Sequence, residues 1–166
     1  MAGKASFTPE EWTLLLESPM MAGMAVSAAE PSGLFGMLKE SFATGSALVA
    51  TKTDATVNAL VKAVAADFET SEGRSAARDG LKAKLASGKA TDIKATATAT
   101  LRQVAALLAA KAPEDAAPFK AWLAQISQNV AESASEGGFL GFGGVQVSDA
   151  EKATLGEIAE ALNLPA

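Results

Sequence analysis

Glu30 and Glu136 stand in matching contexts. The chain reads Ser27-Ala28-Ala29-Glu30-Pro31-Ser32-Gly33-Leu34 around the first and Ser133-Ala134-Ser135-Glu136-Gly137-Gly138-Phe139-Leu140 around the second. In gapless alignment Ser27, Ala28, Glu30 and Leu34 coincide with Ser133, Ala134, Glu136 and Leu140. Each glutamate follows an expected helix end and precedes a glycine-containing apolar turn. Two such carboxylates brought together, with carbonyl oxygens freed by the turns, are the ligand type that a hard cation such as calcium or magnesium takes. The plain alternative is two solvated surface charges, because dedicated calcium sites supply about six to eight oxygens.

A second chemical element is the loop Gly137 to Gly144, where Phe139, Leu140 and Phe142 lie between glycines. Such side chains either pack under the helices or form a contact for a protein partner or a lipid surface. Gly141-Phe142-Gly143-Gly144 has no preceding strand and no lysine-serine ending, so it does not read as a nucleotide loop. A third element is Asp67-Phe68-Glu69-Thr70-Ser71-Glu72, followed by Arg74, Arg78 and Asp79. Its carboxylates are either a cation site or the acidic start of a helix balanced by two arginines.

Composition narrows the chemistry further. The chain has no histidine, cysteine or tyrosine, which removes the commonest general base, the thiolate nucleophile and the disulfide. No hydroxyl therefore has an imidazole to activate it, and the expectation is a non-enzymatic protein. Fourteen basic residues are scattered among nineteen acidic ones, for a net charge of −5. Nucleic acid is not an expected partner, since counterion release needs clustered cations. The same charge disfavours an anionic membrane surface. The nearly apolar run from Met20 to Ala29 is too short to span a bilayer, and Lys4 is followed by polar residues and a helix start rather than a leader. The expected location is the cytoplasm.

The elements that must position these residues read as helices. Alanine is abundant and favours both helix and close helix packing. Thr8-Pro9-Glu10-Glu11 forms a capping box, with Trp12, Leu15 and Leu16 on one face. Pro19 is expected to end or kink this helix near Ser18, and a second helix then carries Met20, Met21, Met24 and Val26 to about Ala29. These methionines read as core, or as an adaptable binding surface. A third helix holds Leu34, Leu38 and Phe42. Asp54 is the expected cap of a fourth, striped by Val57, Leu60, Val61, Val64 and Phe68. A more polar helix covers 71–87. The next, 91–111, is striped by Ile93, Ala97, Leu101, Val104 and Leu108, and its alternating threonines mimic a strand. Pro113 opens a helix whose face is Phe119, Trp122, Leu123, Ile126 and Val130. Ser148-Asp149-Ala150-Glu151 is a second capping box, ahead of Leu155, Ile158 and Leu162. The expectation is one all-α domain spanning 1–166. It comprises about eight helices, and the echoed segments suggest an internal pseudo-two-fold repeat.

The segment Val147-Ser148-Asp149-Ala150-Glu151-Lys152, continuing through Leu155, Ile158, Ala159, Leu162, Asn163 and Leu164, resembles the tellurite-resistance TerB-like family. The resemblance covers about twenty residues near the C-terminus, and capping-box helices of this kind are common in general. It implies an all-helical fold with a repeated helix pair, acidic metal-binding turns and a role in bacterial stress resistance. Where the family's turn carries aspartate and glycine before valine-serine, this chain has Gly144 and Val145. Glu136 or Asp149 would then have to serve as the ligand. The reading is a cation- or partner-binding TerB-like protein. Its alternative is an adaptor that docks a membrane or an apolar ligand through Phe139, Leu140 and Phe142.

The loop makes a separable prediction. Leu140 aligns with Leu34, which begins a helix stripe, whereas Phe142 has no counterpart and is flanked by glycines. Phe139→Ala should cost about 3–5 kcal/mol in chemical denaturation, and Phe142→Ala no more than about 0.5. Large and equal losses would make the whole loop core.

Overall fold

Thr8 and Glu11 start the first helix as a reciprocal pair. The Glu11 amide donates to Thr8 Oγ1 at 3.3 Å, and the Thr8 amide donates to Glu11 Oε2 at 2.8 Å. The helix they open, α1, runs Pro9–Ser27. It belongs to a computed structural model that describes residues 2–29, 57–86, 90–135 and 147–164. The other α-helices of the described residues are α2 (Ala59–Phe68), α3 (Ser71–Lys84), α4 (Ala90–Lys111), α5 (Pro113–Ser135) and α6 (Asp149–Ala161), and a short 3-10 turn at Lys4–Ser6 precedes α1. The described residues form a single all-α bundle. Six α-helices among the described residues correct the expected count of about eight.

Part of that correction lies at Pro19. It sits inside α1 and does not divide it. A proline has no N–H to offer the carbonyl four residues back, here that of Leu15. Ser18 fills the gap: its hydroxyl donates to the Leu15 carbonyl oxygen at 2.8 Å in a buried setting. The helix keeps its hydrogen-bond count and continues through Met20, Met21 and Met24. Pro118 lies inside α5 in the same way, but the carbonyl it leaves belongs to Glu114, which is exposed to solvent. The expected third helix, with Leu34, Leu38 and Phe42, lies outside the described residues, as does Asp54. The cap of α2 is Asn58, whose Oδ1 accepts from the Leu60 amide at 2.9 Å and the Val61 amide at 3.4 Å. The threonines from Thr96 to Thr100 are helical within α4, where the stripe Ala97, Leu101, Val104 and Leu108 is fully buried.

α1 packs against every other described helix, most extensively α4 and α5. Among the described residues α1 is therefore the central helix; the expected third helix and the turns at Glu30 and Glu136 that would define the repeat lie outside them. Leu15, Leu16, Met21, Ala22, Ala25 and Val26 of α1 join Leu101, Val104 and Leu108 of α4 and Phe119, Leu123, Ile126 and Val130 of α5 in one core. α6 closes it with Ile158 and Leu162. Its start is the second reciprocal pair, Ser148 with Glu151 at 2.8 and 3.2 Å. At its end Asn163 takes a left-handed φ of 51°. The Asn163 amide then donates to Glu160 and the Leu164 amide to Ala159, both at 2.9 Å, a Schellman turn with asparagine in place of glycine.

The Ser18–Leu15 bond can be tested against its own rescue. Ser18→Ala should destabilise the protein by about 1–3 kcal/mol, the cost of an unsatisfied buried carbonyl. Adding Pro19→Ala to that variant returns a backbone donor and should recover part of the loss. Urea unfolding of the two variants checks it, and a Ser18→Ala effect within experimental error would show that the carbonyl does not depend on the hydroxyl.

Candidate functional site

The two ends of the bundle differ in chemistry. At the end where α1 begins, carboxylates are consumed in holding the fold. Asp115, in the first turn of α5 and only 3% exposed, accepts from the Ala2 amide at 2.6 Å and from Asn58 Nδ2 at 2.7 Å. One side chain thus links the segment before α1, the cap of α2 and the start of α5. The Ala2 amide and the Asn58 amide group hold the Asp115 carboxyl below the ordinary range against the opposing effect of burial. Asp67, at the end of α2, accepts from Trp12 Nε1 at 2.6 Å and pairs with Lys4 Nζ at 3.0 Å. Burial pushes the Asp67 carboxyl up, but the indole N–H and the Lys4 ammonium together bring it below the usual value. The Trp12 ring in turn packs on Phe7, with centroids 5.9 Å apart. Beside them Lys111 Nζ reaches Glu11 Oε2 at 2.6 Å, and that hydrogen bond lowers the Glu11 carboxyl.

The opposite end is where α1 and α5 stop. Glu11 meets Lys111, two residues before α5, and further along the Ser127 hydroxyl donates toward the Ala22 carbonyl at 3.1 Å and the Leu123 carbonyl at 3.2 Å. The two helices therefore run parallel, and at 1.5 Å per residue α1 continues about 7–8 Å beyond that bond and α5 about 12 Å. They finish within about one helical turn of each other, on the same end of the bundle.

The predicted site residues fall unevenly on this frame. Glu30, Glu136, Phe139, Leu140 and Phe142 lie outside the described residues. Asp149 is the first residue of α6, fully solvent-exposed, with Oδ1 3.5 Å from Lys152 Nζ one turn on. Its position favours the positive end of the helix. In the acidic segment 67–79, Asp67 is taken up by Trp12 and Lys4, the Arg74 guanidinium donates to the Glu69 carbonyl, and Arg78 lies 3.5 Å from Asp79. Among the described residues no three acidic side chains gather into a set that could hold a metal ion, and no helix is long and apolar enough to cross a membrane.

Like Asp115, Glu17 is a buried charged group that the sequence reading does not single out. It is 1% exposed and pairs with Lys84 of α3. The signal was present: Leu14-Leu15-Leu16-Glu17-Ser18-Pro19-Met20 sets a single carboxylate within an apolar run, and a charge so placed needs a partner.

The carboxylates at the α1 end predict acid sensitivity. A folded-state pKa held below the unfolded value of about 3.9 contributes stability that is complete above that value and is lost as pH falls through the lowered one. Thermal melts should therefore weaken progressively below about pH 4, and Asp67→Asn and Asp115→Asn should each flatten that dependence while lowering stability near neutrality. An unchanged acid limb in both variants would show that the two carboxylates do not set it. No family model, curated protein or solved structure matches the chain.

Proposed function

We propose that this chain is a non-enzymatic, cytoplasmic helical protein of the TerB-like kind, a bacterial stress or tellurite-resistance component that binds a divalent cation or a protein partner. The cation reading rests on Glu30 and Glu136, with Asp149 as the further carboxylate that the resemblance offers. The observation that supports it is the parallel course of α1 and α5. Ala29 and Ser135 are the last described residues of the two echoed segments, and each stands one residue ahead of its glutamate. The two described helices that precede Glu30 and Glu136 therefore end on the same side of the bundle. The carboxylates at the other end are already committed to Ala2, Asn58, Trp12 and Lys4. The lack of histidine, cysteine and tyrosine supports a binding role over catalysis, and calcium or magnesium suits an all-oxygen donor set.

Two ionised carboxylates drawn together repel each other, and a bound cation removes that repulsion. Ligand that binds only the folded chain raises its stability by mass action. Millimolar calcium or magnesium should raise the melting temperature, and Glu30→Gln combined with Glu136→Gln should abolish the response. Asp149→Asn should weaken it if that residue is a ligand. No shift in either metal rejects the cation site. Loss of liposome co-sedimentation in Phe142→Ala, without a metal response in the parent, would move the reading to the adaptor.

A further inference from the structure

α3 is attached differently from the other helices. It packs on α1 and α2 and has no extended packing with α4, α5 or α6. Its buried residues are Gly73, Ala77 and Leu81, so one large side chain supplies most of its apolar anchorage. Burial free energy scales with apolar area, and this helix has little to contribute. Beyond the partly buried Ala76 and Leu85, its remaining anchorage among the described residues is polar. The Lys84 ammonium, whose side chain is one-third exposed, pairs with the buried carboxylate of Glu17. Gly80 brings the backbone of α3 directly onto that carboxylate, where an added Cβ would overlap Glu17 Oε1. Gly73 makes a second close approach, to the backbone carbonyl of Asp67.

We infer that α3 is a strap latched to α1 by the Glu17–Lys84 pair across Gly80, and that it opens as a unit while the α1–α4–α5 core stays folded. Cooperative segments of low apolar burial are the ones that open below the global unfolding free energy. Opening of α3 returns both charges to water, which lowers its cost compared with separating two hydrophobic helices. The buried end of the latch belongs to the central helix and the accessible end to the strap. A ligand or modification that occupies the Lys84 ammonium therefore acts on α3 from outside the core.

Native-state hydrogen exchange on the full chain, read by mass spectrometry, tests this. In the parent protein the amides of α3 should exchange through an opening that leaves the amides around Leu123 and Ile126 of α5 protected. Glu17→Gln and Lys84→Met should each accelerate α3 exchange about tenfold or more beyond any change in α5. Gly80→Ala should do the same, although alanine by itself favours helix over glycine, because its methyl displaces the carboxylate from Lys84. Lys84→Arg, which keeps the charge, should retain most of the protection. Parent α3 amides exchanging no faster than those of α5 would overturn the inference even if a variant failed to fold. An even acceleration across all helices in the variants would overturn it as well.

Discussion

A helix enclosed on almost every side has no solvent to complete its hydrogen bonds, and that constraint governs α1. Its buried set includes Glu17, Ser18, Pro19 and Ser27 as well as the large apolar residues. Each polar member is accounted for at short range or by one neighbour. Ser18 serves the Leu15 carbonyl that Pro19 leaves open, Ser27 donates to the Gly23 carbonyl at 3.0 Å, and Glu17 has Lys84. Among the described residues no buried side-chain polar atom lacks a partner. Were one of these bonds missing, the penalty would fall on the helix that every other element touches. The surrounding helices supply apolar faces, and apart from Lys84 of α3, which meets Glu17, the buried polar side chains of α1 are satisfied within the helix itself.

The outer helices are fixed with unequal strength. α4 and α5 meet α1 through continuous rows of leucine, valine, isoleucine and phenylalanine, contacts that are non-directional and tolerant of small shifts. α2 is placed by directional bonds at its two ends, Asn58 to Asp115 and Asp67 to Trp12 and Lys4. α3 depends on a charge pair and two close backbone approaches. The gradient runs from a hydrophobic centre to polar fittings at the α1 end. The opposite end, where α1 and α5 stop together, is where the two echoed segments join the described bundle.

Local chemistry was legible in the chain, and pairings at a distance were not. Thr8 with Glu11 and Ser148 with Glu151 are three residues apart, so the caps follow from spacing alone. The stripe Phe119, Leu123, Ile126 and Val130 declares its face by period. Pro19 does not end the helix, because the preceding serine supplies a donor to the carbonyl that the proline leaves open. Glu17 and Lys84 are 67 residues apart and Asn58 and Asp115 are 57 apart; nothing local distinguishes such partners from any other acid, base or amide. Of the candidate ligands and contacts, Asp149 is the one the described residues include, and its exposed position at a helix start is what its sequence context implied. The remainder, in 30–56 and 136–146, lies outside the described residues.

The central place of α1 has a consequence for how the protein comes into being. Its partners are late in the chain: Glu11 awaits Lys111, 100 residues on, and Ala22 awaits Ser127, 105 residues on. At translation rates of roughly 5–20 residues per second, α1 leaves the ribosome on the order of 5–20 s before α4 and α5 can cover it. Through that interval Leu15, Leu16, Met21 and Val26 lack the α4 and α5 faces that cover them in the folded chain, and only α2 and α3 are there to pack on α1. The order in which the helices are encoded thus makes completion of the core wait for the last third of the chain, since α1 reaches its full set of apolar neighbours only with α5.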